Sequence, residues 1–593
     1  MQSSKTNYIF LLVLLLAVLV GCEDSFLKET TYNKIIQGDY YTTANGIKSG
    51  VNGLYGRLRY FYTTEAAVNM CENNTDMFVP PMSTGYMKID PNTGFVRDFW
   101  NTCYITINQC NTVIYALEKT QIQGLDENLR NRYLGEAKFI RAHFYDHLVK
   151  QFGDVPMPLT PSVGIVTTSR RVPIDSVWKL IISDLNYSIM HLPISYMPSE
   201  YGHITRYAAM QNMAKVLLTA RRTNLESVQL ALNYVDTIIN SHRYLLSNVN
   251  DLWDITKQRT PDVIQEIILP VLYSKDVILN GEGNKAHLFF VCAYSEQHQG
   301  VIRSIEYGRG WDRLKPTKYA YRMFLNPGAD VGSNSELLDA RGVSWFQTKW
   351  NINREAGFIY SAIMYDPVLK VDRVVYQPKG SMAMMAPYWN FTPDDCKDVW
   401  PVWVYLPDSM KAVVGNNIQS LSKPNAMWPS NVRFFNHLMF PYINKYLDPT
   451  RPDINYEAGS KDVFVYRLAE TYLLAAEAAF LLGKNEVASN YLNIVRKRAE
   501  LDSPDMYDKM LITKEDVTAE FILDERGREL IGELNRWYDL KRFGKLEERL
   551  KWKYLYYDNP VTWYNYWLRP IPREQLLRIT NPQDFPQNPG YSN

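Results

Sequence analysis

His143 and His147 stand four residues apart, a spacing that puts two imidazoles on one face of a helix, where they could hold zinc. A zinc hydrolase of that pattern needs a glutamate directly after the first histidine. Phe144 occupies that place, and Asp146 stands beside the second imidazole instead. Phe139, Phe144 and Leu148 around the pair read as a packed amphipathic helix, so no metal is assigned. The sequence holds no phosphate-cradling P-loop, no G-x-G-x-x-G after a strand and no G-x-S-x-G nucleophile turn. Glycoside hydrolysis needs two carboxyls at a set separation in a cleft, and none of the 63 acidic residues is marked for that task by a motif. What the chain has in abundance is rings: 42 tyrosines and 14 tryptophans. Each joins a flat apolar face to a polar edge, which suits amphipathic ligands such as sugars as well as ordinary cores.

The elements that must position these groups are mostly helical. Ile47, Val51, Leu54 and Leu58 recur at spacings of four, three and four, one buried face of a helix. A polar loop at 72–96 is followed by Trp100, Tyr104, Ile107, Cys110, Val113, Ile114 and Leu117 at helical spacing. Residues 129–152 form another helix, closed by Gly153-Asp154-Val155-Pro156, and 174–246 continue in helical pairs. Between about 250 and 440 the runs shorten, and Pro, Gly, Trp and Tyr crowd into loops with short strands, the kind of surface where binding residues tend to lie. Helix returns at about Val463. Leu468, Tyr472, Ala475, Ala476 and Ala479 share a face, as do Ala488, Tyr491, Leu492 and Val495 beyond Gly483, a helix–turn–helix that resembles a tetratricopeptide repeat. The expected fold is mainly α: a tetratricopeptide-like scaffold with a large irregular insertion containing short strands. Its parts run over 43–250, 251–462 (the expected ligand-binding part) and 463–593.

The N-terminus sets which residues belong to that fold. Lys5 precedes an apolar run over 8–20, the length of a signal-peptide core and too short to span a bilayer. It ends in Leu19-Val20-Gly21-Cys22, which resembles a bacterial lipobox. Residues 1–21 are therefore read as a cleaved signal, Cys22 as the acylated residue and 22–42 as a tether, so that lipid holds the protein to the membrane. The formal net charge of +1, with no block of lysine or arginine, argues against a nucleic-acid partner. Cys71, Cys103, Cys110, Cys292 and Cys396 form no C-x-x-C pair, and no disulfide is assigned.

A series of segments in fixed order is similar to the SusD/RagB family of outer-membrane lipoproteins from the Bacteroidetes. They include Val51-Asn52-Gly53-Leu54-Tyr55, Glu136-Ala137-Lys138-Phe139-Ile140-Arg141-Ala142 and Phe152-Gly153-Asp154-Val155-Pro156. Near the C-terminus, residues 467–478, Asp524-Glu525-Arg526-Gly527-Arg528-Glu529-Leu530, Arg536-Trp537-Tyr538-Asp539 and Leu568-Arg569-Pro570-Ile571-Pro572 continue the series. Glu525, Arg526, Arg528, Glu529 and Arg536 have spacings that suit ion pairs within or between helices. The resemblance implies a non-catalytic lipoprotein of the outer-membrane surface, free of cofactor and metal. It would bind oligosaccharide and act as a lid on a SusC-like TonB-dependent transporter barrel.

Sugar rings stack on aromatic planes, and their hydroxyls need directional donors and acceptors, so the candidates are loop aromatics beside polar side chains. The loop at 72–100 offers Asn73, Asp76, Tyr86 and Trp100, with Trp100 also at core spacing. The second region offers Tyr307, Trp311, Asp312, Trp345, Trp350 and Trp389. Gly310-Trp311 lies just before Pro316-Thr317, as in a recurrent segment of the family, which makes Trp311 a ligand platform or a loop anchor. Two alternatives stand beside the sugar lid: the same lid carrying peptide or another nutrient, and a surface glycoside hydrolase.

Overall fold

The computed structural model describes residues 41–80, 89–162, 164–296, 300–325, 337–365, 372–385, 400–403, 433–434, 440–501, 508–552 and 567–592. The expected signal peptide with Cys22, and Tyr86, Trp389 and Cys396, lie outside these residues.

Helices of at least seven residues are α1 (Ala44–Tyr62), α2 (Glu65–Cys71), α3 (Gly94–Lys119), α4 (Glu127–Phe152), α5 (Ile174–His191), α6 (Arg206–Ala220) and α7 (Leu225–Ile239). After a long excursion come α8 (Leu468–Leu481), α9 (Asn485–Arg498), α10 (Ala519–Leu530), α11 (Arg536–Arg542) and α12 (Leu546–Trp552). Local chemistry fixes their starts. Thr43 Oγ1 accepts from Gly46 N at 3.1 Å to cap α1, and Asp126 Oδ1 accepts from Leu129 N at 2.9 Å to cap α4. The stripe Ile47, Val51, Leu54 and Leu58 is buried as the spacing predicts.

Each helix packs on the next, α3 on α4, α4 on α5, α5 on α6 and α6 on α7, and α4 is buried on every side from Tyr133 onward except at Lys138. The stack then continues from α7 directly to α8, although more than two hundred residues separate them in the chain. The irregular part is thus an excursion from one helical stack. Its ends are joined by β2 (Ile267–Val271) and β12 (Val463–Arg467), an antiparallel ribbon pairing Val271 with Val463 and Ile267 with Arg467. Here the structure corrects one boundary. The run from Val463 enters as a five-residue strand, and helix begins at Leu468. Val-Phe-Val-Tyr are the β-branched and aromatic types that pack well on a pleated surface, and a ribbon partner was available.

The excursion also holds β1 (Phe78–Val79), β3 (Lys315–Pro316), β4 (Phe346–Gln347), β5 (Lys349–Asn351), β6 (Phe358–Tyr365), β7 (Asp372–Gln377), β8 (Met382–Met385), β9 (Trp400–Trp403), β10 (Arg433–Phe434) and β11 (Tyr442–Ile443), β1 being contributed from the first helical part. Strands β10-β9-β8-β5 form the largest sheet, and the others pair two by two.

Buried charge ties the excursion to the C-terminal helices. Glu529 on α10 takes Arg341 at 2.7 Å, together with Arg467 and Arg498, while Glu525 takes Arg341 at 2.8 Å and Arg496 at 2.6 Å. Burial alone would raise the Glu529 carboxyl, but Arg498, Arg467 and Arg341 hold it well below the usual range. Such paired, fully desolvated charges cost little net energy while intact, and breaking one strands its partner. The ion pairs expected from the sequence are present for Glu525, Arg526, Arg528, Glu529 and Arg536.

Candidate functional site

The two loop regions nominated from the sequence meet. Strand β1, which continues the 72–80 loop, pairs antiparallel with β3, just after Trp311, with Phe78 opposite Pro316 and Val79 opposite Lys315. Thr317 N donates to Met77 O at 2.8 Å, and Thr317 Oγ1 donates to Asp76 O at 2.5 Å. Segments more than two hundred residues apart in sequence thus share one ribbon.

Around that ribbon the candidates divide by burial. Trp311 is half-buried. Its indole meets Phe289 edge-on at 5.8 Å, Arg313 lies 5.9 Å from its centroid, and its backbone N donates to Leu288 O at 2.7 Å. Gly310 permits this seat, because a Cβ there would stand 2.3 Å from Val291 O and 2.7 Å from Cys292 O. Asp312 beside it is also half-buried and has φ of +54°, a left-handed conformation that Asp tolerates better than most residues. Among the described residues nothing donates to Asp312 Oδ1. Burial pushes this carboxyl up to about 7, with Lys315 and Arg313 pulling the other way. Near neutral pH it can therefore accept hydrogen bonds or donate one. Arg313 pairs with Glu65 on α2 at 2.9 Å, which fixes the neighbouring rim.

The other described candidates are interior groups. Asp76 is fully buried and clasped by Arg536, with Nε to Oδ1 at 2.7 Å and Nη2 to Oδ2 at 2.6 Å. Asn73 is buried, taking Asn74 N on its Oδ1 and donating to Asn69 Oδ1 at 2.7 Å. Trp100 packs between Tyr104 and Phe152 at 4.8 and 4.9 Å. Trp345 is buried, donates from Nε1 to Val249 O at 3.2 Å and carries the Lys445 ammonium 3.9 Å over its ring. Trp350 is fully buried beside Tyr442. The Tyr307 ring is buried against Tyr294, and its hydroxyl accepts from Asn351 N at 2.9 Å. As placed, these groups are buried, Trp100 within the helical stack and Tyr307, Trp345 and Trp350 within the excursion. The one sequence signal that separates Trp311 from them is the glycine before it, which lifts it out of core periodicity.

The two histidines are spoken for by the fold. His143 Nε2 meets Tyr62 Oη at 2.8 Å, and His147 Nδ1 meets Tyr538 Oη at 2.8 Å. Burial, with Lys215 and Lys150 adding to it, lowers His143 to about 3, so the ring is neutral. Among the described residues no group of three or more metal-ligating side chains comes together, and no helix is long and apolar enough to cross a membrane. Cys71, Cys103, Cys110 and Cys292 are buried.

Comparison with known proteins agrees with this architecture. The sequence profile of the SusD family matches residues 294–591, half of the chain. The chain belongs to the SusD family. A second profile, described as starch-binding associating with outer membrane, matches residues 30–218. SusD-like protein P25 of Formosa agariphila is 24% identical over 96% of this chain and 97% of its own length. A SusD superfamily protein of Parabacteroides distasonis superposes with a TM-score of 0.63 at 20% identity, over 94% of this chain and all of that one. The surface glycan-binding protein A of Bacteroides thetaiotaomicron, solved with laminarihexaose, gives a TM-score of 0.61 at 19% identity, over 92% of this chain and all of that one.

Proposed function

We propose that this SusD-family chain is a non-catalytic glycan-binding lipoprotein of the outer-membrane surface that acts as the lid of a SusC-like TonB-dependent transporter barrel. The observation that carries the proposal is the half-buried Trp311 on the ribbon where the two loop regions meet. The open part of an indole matches the C–H face of one sugar ring, while Asp312 Oδ1 lies beneath the surface, shielded from solvent. Family membership and the glycan bound by the Bacteroides thetaiotaomicron neighbour support sugar over peptide. Acylation at Cys22 would keep the protein at the membrane, and import energy would come from the transporter's partners.

Two experiments test this. Purification of tagged protein from native membranes is expected to bring a TonB-dependent barrel with it, and recovery of the chain alone under mild detergent counts against the lid. Affinity electrophoresis against a polysaccharide panel is expected to show retardation by at least one polymer. Retardation by none, with binding to peptides, favours the peptide lid.

A further inference from the structure

A cleft lies between the outer face of α3, the segments at 156–162 and 166–176 and the helical turn Arg573–Arg578. It has a volume of about 1250 Å³, and Trp311, Asp312 and Arg313 are not among its lining residues. We propose that this cleft is a separate binding site for an extended acidic oligosaccharide, one bearing carboxylate or sulfate groups.

Size, polarity and charge each point that way. Single-ligand pockets run to roughly 300–1,000 Å³, so a cleft of this volume suits a chain of rings more than one ring. Tyr104, half-buried in its lining, has its hydroxyl committed to Pro156 O at 2.9 Å and its ring against Trp100 at 4.8 Å, which leaves the remaining part of the ring as contact surface. The side-chain amides of Asn101, Gln109 and Gln575 line the cleft and have no protein partner among the described residues. A primary amide offers donors and an acceptor together, the combination that vicinal hydroxyls require. No carboxylate lines the cleft, whereas two guanidinium groups do. Arg578 shares Glu574 with its own helical turn, and Arg170 has no ion-pair partner among the described residues. A planar guanidinium pairs with a carboxylate or sulfate through two parallel hydrogen bonds, which gives direction as well as charge.

The test uses the mature full-length chain and titration calorimetry with an oligogalacturonide. The wild-type chain is expected to bind it and to lose affinity steeply as salt rises. Arg170→Ala combined with Arg578→Ala is expected to weaken binding at least tenfold. Asn101→Trp, which fills the cleft without removing charge, is expected to do the same. Trp311→Ala is expected to leave this affinity unchanged, which separates the cleft from the Trp311 surface. The proposal is overturned by absence of binding, by affinity unchanged in both cleft variants, or by loss of binding in Trp311→Ala. It is equally overturned if polyglutamate binds as tightly, since charge alone would then account for the result. If instead Trp311→Ala leaves neutral-glycan binding intact, it is the Trp311 site that fails, and the cleft stands.

Discussion

Trp311 differs from the other described tryptophans named above in keeping part of its ring open, and a substitution there separates binding from folding. Trp311→Ala is expected to weaken glycan binding about tenfold, roughly 1.4 kcal/mol, with little change in melting temperature. Equal affinity by calorimetry would remove the ring from the site. Asp76 makes the opposite case. Its carboxylate is fully buried against Arg536, so Asp76→Ala strands a guanidinium and is expected to cost about 3–5 kcal/mol in chemical denaturation. Glu72 gives a pH signature. Burial raises its carboxyl from an ordinary 4.5 to about 8, against the pull of the Asn535 and Arg536 backbone amides and the Arg536 charge, and its Oε2 has no partner among the described residues. The folded state therefore holds this proton more tightly than the unfolded one. Stability falls as pH rises from about 4.5 to about 8, by up to an order of 5 kcal/mol, and the loss is complete above that window. Glu72→Gln is expected to raise the melting temperature at pH 9 and to change it little at pH 5. An equal shift at both pH values would contradict the assignment.

At the scale of elements, the alanine face of α8 lets α7, α9 and α10 approach closely. Ala475, Ala476, Ala478 and Ala479 are all fully buried there. Ala479→Leu is expected to destabilise by about 1–3 kcal/mol through overpacking, read as a lower midpoint in urea. That face was legible in the sequence because small residues recurred at helical spacing on both sides of Gly483. The helices of the stack were legible for the same reason: the stripe from Ile47 to Leu58 has one period and one burial pattern. The strand at Val463–Arg467 was not, because its pairing partner lies nearly two hundred residues earlier, and local spacing carries no trace of that. The same non-locality hid burial: Asn73, Asp76, Trp345 and Trp350 have the right residue types for sugar, and only the structure shows that they lie inside.

For the whole molecule, one helical stack is interrupted between α7 and α8, and the interruption is closed by the β2–β12 ribbon and by the arginines around Glu529. The stack supplies the frame, and the excursion carries the half-buried Trp311. The fold as a whole is similar to SusD-like structures of about 20% identity. On the proposed reading, the protein holds sugar without breaking it. Titration calorimetry of the mature chain against a panel of soluble glycans, with reducing ends counted in the recovered sample, tests that claim most directly. The account predicts saturable binding to at least one glycan with no new reducing ends. Release of reducing ends from the bound glycan, or no binding anywhere in the panel, would contradict it.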